Sequence, residues 1–147
     1  MRHVVVRRLS YRPDQLFALV GDVERYPDFV PWVSGLRTWN RRARAGGVTT
    51  FDAEAQVRFS VIRERFATRV RLDPRTMTID VSLISGPFRR LENRWRFNPT
   101  PEGSDLLFEI DFEFGSRLLQ GLLAANFEKA VTSLVGCFEQ RAENLYG

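Results

Sequence analysis

The sequence predicts an α+β fold: a curved antiparallel sheet of six to seven strands wrapped around a long C-terminal helix, with two short helices after the first strand. Three observations carry this. Several consecutive segments alternate apolar and charged residues with a period of two, as strands covered on one face do. The connections between them are short, which makes neighbours antiparallel. The last segment changes to steps of three and four, the spacing of one helix face.

His3 to Leu9 is valine-rich and reads as the first strand. Pro13 opens a helix, where its missing N–H would have had no partner anyway. Gln15, Leu16, Leu19, Val20 and Val23 give that helix an amphipathic stripe, and the prolines of Tyr26-Pro-Asp-Phe-Val-Pro-Trp set a second short helical segment apart from it. From Thr49 to Val61 one row reads Phe51, Ala53, Ala55, Val57, Phe59, Val61, against Asp52, Glu54, Gln56, Arg58, Ser60 on the other. Next, Ile62, Phe66, Val70 and Leu72 oppose Arg63, Arg65, Arg69 and Arg71, with Glu64 the exception on the apolar parity. Met77, Ile79, Val81 and Leu83 form a third inward row. After Gly86-Pro87, Leu91, Trp95 and Phe97 oppose Arg90, Glu92, Arg94 and Arg96; after the turn at 98–104, Phe108, Ile110, Phe112 and Phe114 oppose Asp105, Glu109, Asp111 and Glu113. The acidic row on the last strand is expected to pair with the arginines of the strand before it.

Leu119, Leu123, Phe127, Ala130, Leu134, Phe138, Ala142 and Leu145 define the face of a helix from about residue 116 to 145, roughly 45 Å long, with Ser116 as its N-cap. Gly121 and Gly136 inside it each cost up to about 1 kcal/mol relative to alanine, which reads as a demand for close packing or free space against the sheet. A sheet of this length wrapping one helix cannot close tightly everywhere, so a cavity between helix and sheet is expected.

Composition narrows the function. The 147 residues fit one domain spanning 1–147, and 44% hydrophobic with 27% charged residues is a soluble globular balance. No apolar run approaches the ~18 residues of a membrane span. The apolar stretch in the first residues is too short for a signal peptide, so the cytoplasm is expected, or an organelle matrix after loss of a leader. Cys137 and His3 are the only residues of their kinds, a poor basis for a disulfide, a zinc site or a nucleophile–base pair. The net charge of +4, almost all arginine with Lys129 the sole lysine, favours anionic partners.

Asp22-Val-Glu-Arg-Tyr-Pro-Asp-Phe-Val-Pro-Trp, Gly86-Pro-Phe-Arg-Arg-Leu followed by Trp95-Arg-Phe, and Asp111-Phe-Glu-Phe followed by the helix Leu118-Leu119 … Phe127-Glu … Cys137-Phe-Glu-Gln-Arg-Ala resemble the START-like, helix-grip superfamily. Within it they resemble the coenzyme Q-binding and polyketide cyclase/dehydratase-like branch, across essentially the whole chain. Many such proteins carry a cysteine after the Pro-Trp pair; here Val33 stands there, which points to packing. The resemblance implies a non-catalytic carrier of a hydrophobic isoprenoid quinone, ubiquinone, supporting respiration or quinone biosynthesis. No metal or cofactor is then required. Partners would include quinone-biosynthesis proteins and the inner face of the membrane, touched peripherally. It also implies two alternatives: a ribosome-associating toxin-like protein that binds the large subunit, and a polyketide cyclase/dehydratase-like enzyme.

The expected ligand-binding residues are Phe29, Trp32, Phe59, Phe66, Val81, Phe88, Trp95, Phe108, Phe112, Leu123 and Phe127, an apolar lining of the kind a lipid needs. Trp32 and Phe88 are expected at the mouth, with Ser85-Gly86-Pro87-Phe88 as a gate loop over it. No catalytic residue is expected.

Overall fold

In a computed structural model, which describes residues 1–59 and 61–147, the elements follow in the order strand, helix, six strands, helix. They are β1 (Arg2–Leu9), α1 (Pro13–Gly21), β2 (Val33–Ala43), β3 (Thr49–Phe59), β4 (Ile62–Asp73), β5 (Thr78–Ser85), β6 (Phe88–Thr100), β7 (Gly103–Phe114) and α2 (Arg117–Tyr146). A 3₁₀ segment, Val23–Asp28, supplies the second short helix. The strands form one seven-stranded antiparallel sheet in the order β1-β7-β6-β5-β4-β3-β2.

Local chemistry explains the helices. Pro13 starts α1, and the Gln15 side chain accepts from the Arg12 N–H at 3.0 Å. Leu16, Leu19 and Val20 bury the inner face of α1, leaving Gln15 to cap. Ser116 caps α2 by accepting from the Leu119 N–H at 3.1 Å. α2 makes its near backbone approaches to β7, β1 and α1, toward one edge of the sheet.

The strand alternation is realised almost residue for residue in β7, whose even positions Leu106 to Phe114 are buried and whose odd positions are half-exposed. Four particulars differ from expectation. β2 has no clean period of two: most of it is exposed, and a bulge between Trp39 and Arg42 with Asn40 at φ 58° interrupts its register, so its sequence hides a strand. Val61 is 90% exposed in the β3–β4 turn and not part of the inward row; Ser60, assigned to the outer row, lies outside the described residues. Leu145 is exposed, and Val131 and Val135 complete the buried face of α2 instead.

The fourth concerns Gly121 and Gly136. Both are exposed, and a Cβ at either would meet nothing within 4 Å, so they face away from the sheet and create no space beneath the helix.

Ion pairs lace the outer face, with a different distribution from the one expected. Arg90 binds Asp111 and Glu113, and Arg89 reaches Glu113. Arg94, however, turns to Asp80 on β5, while Asp105 and Glu109 are taken by Arg8 and Arg2 of β1. β7 lies between β1 and β6, so its acids are shared between both neighbours. On β4, Arg69 binds the buried Asp52, which Asn40 also contacts, and the hydrogen bond from Arg69 holds the Asp52 carboxyl below its ordinary range.

Candidate functional site

Between α2 and the concave face lies an apolar cavity of about 150 Å³ that opens to solvent, smaller than the ~300–1,000 Å³ of drug-sized sites. Small side chains make the space. Ala53 and Ala55 of β3, Thr68 and Val70 of β4 and Val81 of β5 form the floor. Trp95 and Phe108, stacked with ring centroids 4.0 Å apart, close the β6–β7 side, and Phe127, Ala130, Val131 and Leu134 of α2 form the roof. Trp32, Leu36 and Leu134 are half-exposed and border the side toward β2.

Among the residues expected to bind ligand, Trp32, Phe59, Phe66, Val81, Trp95, Phe108 and Phe127 line this cavity. Phe29, Phe88, Phe112 and Leu123 lie outside its walls. Phe29 packs edge-on to Phe138 at 5.4 Å, behind Tyr26, with the Arg141 guanidinium over its ring. Phe112 is fully buried and 4.5 Å from the Phe127 ring, because α2 lies closest to the sheet over β7. Phe88 and Leu123 border a small adjoining gap of about 10 Å³ that shares Phe59, Phe66 and Phe127 with the main cavity. Phe88 is stacked on Phe114 at 5.0 Å and 8% exposed, so the expected gate residue is part of the packed core. Gly86 of that turn, at φ 148°, lies so close to β4 that a Cβ would come within 2.5 Å of the Phe66 Cβ.

The sequence reading passed over the polar members of the lining: Tyr26, Thr68 and Asn93. The Tyr26 hydroxyl donates to the Val20 carbonyl, and burial, reinforced by Asp22, pushes its phenol far above the ordinary range, so it stays neutral. Thr68 and Asn93 occupy the inward parity of β4 and β6, and a polar residue at an apolar position was the available signal. Among the described residues, none that lines the cavity is Asp, Glu, His, Lys, Arg or Cys. Glu64 is half-buried beside the smaller space, not in the main one. Burial pushes the Cys137 thiol up, away from the thiolate a nucleophile needs. Among the described residues no cluster of side chains could hold a metal ion, and no helix is long and apolar enough to cross a membrane. Val33 is buried and packs with Val30 and Val57.

A curved antiparallel sheet gripping one long helix over an apolar cavity defines the START-like, helix-grip class of fold. Residues 9–139 match the family described as polyketide cyclase / dehydrase and lipid transport, and the chain belongs to that family. It is 33% identical over 140 residues to the ribosome association toxin RatA of Pseudomonas aeruginosa, covering 95% of this chain and 93% of that protein. It is 32% identical over 143 residues to the mitochondrial coenzyme Q-binding protein COQ10 homolog B of Xenopus laevis, covering 95% of this chain and 57% of that one. The solution structure of the 18 kDa protein CC1736 from Caulobacter crescentus shares 56% identity and superposes with a TM-score of 0.82, over 100% of this chain and 99% of that one.

Proposed function

We propose that this protein is a non-catalytic carrier of an isoprenoid quinone, ubiquinone, serving respiration or quinone biosynthesis. The observation that carries the reading is the cavity itself: apolar, and lined among the described residues by no ionisable side chain other than a neutral tyrosine. Burying a hydrocarbon tail there gains about 0.8 kcal/mol per CH₂. A cyclase or dehydratase would instead need a positioned acid–base pair, which this lining does not supply. The relative named as coenzyme Q-binding supports the choice of a quinone. The carrier works in the cytoplasm and exchanges its ligand with the inner face of the membrane and with quinone-biosynthesis proteins.

Organic extraction of the purified protein followed by mass spectrometry tests this directly. Trp32 and Trp95 both line the cavity, so titration with ubiquinone is expected to quench tryptophan fluorescence and raise the melting temperature. Protein that carries no lipid and responds in neither assay refutes the carrier.

A second reading, binding to the large ribosomal subunit, is favoured by a different observation. Arg63 and Arg65 on the outer face of β4 form no ion pair among the described residues, whereas Arg69 and Arg71 of the same row are held by Asp52 and Asp73. They flank a shallow surface concavity with Ser34 and Gln56. Relatives named as ribosome association toxins point the same way. Co-sedimentation that persists at moderate salt and is lost on changing Arg63 and Arg65 to Glu would establish it; weak association that salt removes is expected of any basic protein.

A further inference from the structure

Asn93 is the one side-chain amide among the described residues of the cavity wall. It lies on the inward parity of β6 between Leu91 and Trp95, opposite Val81 on β5 and Ile110 on β7. Those neighbours are all apolar and all line the same space. The Asn93 Oδ1 is buried without a hydrogen-bond partner among the described residues. A buried acceptor left unpaired costs more than an ordinary hydrogen bond gains, so such a group in a native wall calls for a reason. Leucine there would fit the alternation and remove the cost. The other amide or hydroxyl groups of the lining do not relieve it: Tyr26 is committed to the Val20 carbonyl, and Thr68 is on β4, with β5 between.

We infer that Asn93 is a specificity-determining residue that receives a neutral hydrogen-bonding group of the ligand, a carbonyl or hydroxyl, inside the cavity. This rests on the carrier reading and sharpens it. An amide presents an acceptor and a donor to the same space, so it meets a hydroxyl through Oδ1 and a carbonyl through Nδ2. One residue thereby accommodates both the oxidised and the reduced form of a quinone ring. The absence of any charged side chain from the lining decides against a carboxylate or phosphate in this position, since a buried charge needs a paired partner. The ring then lies against β6, separated from β2 by β5, β4 and β3, rather than at the mouth beside Trp32.

The experiment measures, by calorimetry, binding of a short-tailed ubiquinone and of an alkylbenzene with a matched carbon count to the wild-type protein and to Asn93→Leu. Wild type is expected to prefer the quinone, and Asn93→Leu to lose about ten-fold in quinone affinity with little change for the alkylbenzene. The unliganded variant is expected to melt higher than wild type, because the orphaned acceptor is gone. Equal quinone affinity in both proteins overturns the inference and leaves the carrier standing. So does a wild type that binds the alkylbenzene as tightly as the quinone, a comparison that needs no variant and holds even if Asn93→Leu folds poorly. A wild type that binds neither probe overturns the carrier reading and this inference with it.

Discussion

Beneath α2 the apolar face of the sheet is built in two grades. Over β6 and β7 it is a pile of aromatic rings: Trp95 on Phe108, Phe112 and Phe114 against Phe127, Phe88 against Phe114. Over β3, β4 and β5 the lining includes the large Phe59 and Phe66, but Ala53, Ala55, Thr68, Val70 and Val81 are small, and space remains. Both regions obey the same alternation. Parity determines which side chains face inward, while their size determines whether the interior is filled. The aromatic half holds the molecule together, and the space beside it, walled on one side by Asn93, Trp95 and Phe108, is free to hold a ligand.

The sharpest way to break this comparison is to move a defect into the filled half. Phe112 is fully buried with rings on both sides, so Phe112→Ala is expected to destabilise the protein by about 3–5 kcal/mol in urea unfolding. A loss under about 1 kcal/mol would mean that the pile is as loose as the cavity.

The converse change fills the empty half. Ala130 is 5% exposed in the cavity roof, and Ala130→Phe places a ring in open space instead of in a packed core. Quinone affinity is expected to fall more than ten-fold while the circular dichroism spectrum is preserved and the melting temperature shifts by only a few degrees. Retained binding would place the ligand elsewhere.

How much of this was legible in the sequence follows from the same distinction. Alternation in β3 to β7 and the three–four steps of α2 gave the fold, because burial on one face leaves a periodic trace. β2 left none: an edge strand, largely exposed and bulged at Asn40, needs no apolar row. At the site, an expectation built on large aromatics found the side of the cavity where they wall it, at Trp95, Phe108 and Phe127, but also took in Phe112 and Phe88, which belong to the filled half. The residues that create the space, Ala53, Ala55 and Ala130, are inconspicuous by the measure that singles out a core. Which of two inward rings touches the helix and which touches the cavity depends on where α2 rests on the sheet, and that is a long-range property no single segment encodes.

Glycines on α2 offer a smaller test. If they were there to admit ligand, alanine at either position would hinder binding. The geometry says otherwise, since a Cβ at Gly121 or Gly136 meets nothing within 4 Å. Gly121→Ala and Gly136→Ala are each expected to stabilise the protein by about 0.5–1 kcal/mol, through helix propensity and a less flexible unfolded chain, with quinone affinity unchanged. Weakened binding in either variant would return these positions to the site.

The smallest expected effect lies on the other side of the sheet, where charge replaces packing. Arg94 of β6 is about half-exposed, bound to Asp80 on β5 and opposite Glu109 on β7. Arg94→Glu replaces that attraction with repulsion from both acids. Yet all of these groups stay in contact with water, where an exposed pair contributes only about 0.2–1 kcal/mol, and Arg2 continues to neutralise Glu109. The variant is therefore expected to fold, to lose about 1 kcal/mol or somewhat more in urea unfolding at low salt, and to recover part of that loss at high salt as the repulsion is screened. Ligand affinity should not move, because Arg94 points away from the cavity that its neighbours Asn93 and Trp95 line. A variant that fails to fold would show that the Arg94–Asp80 pair contributes far more than an exposed ion pair does.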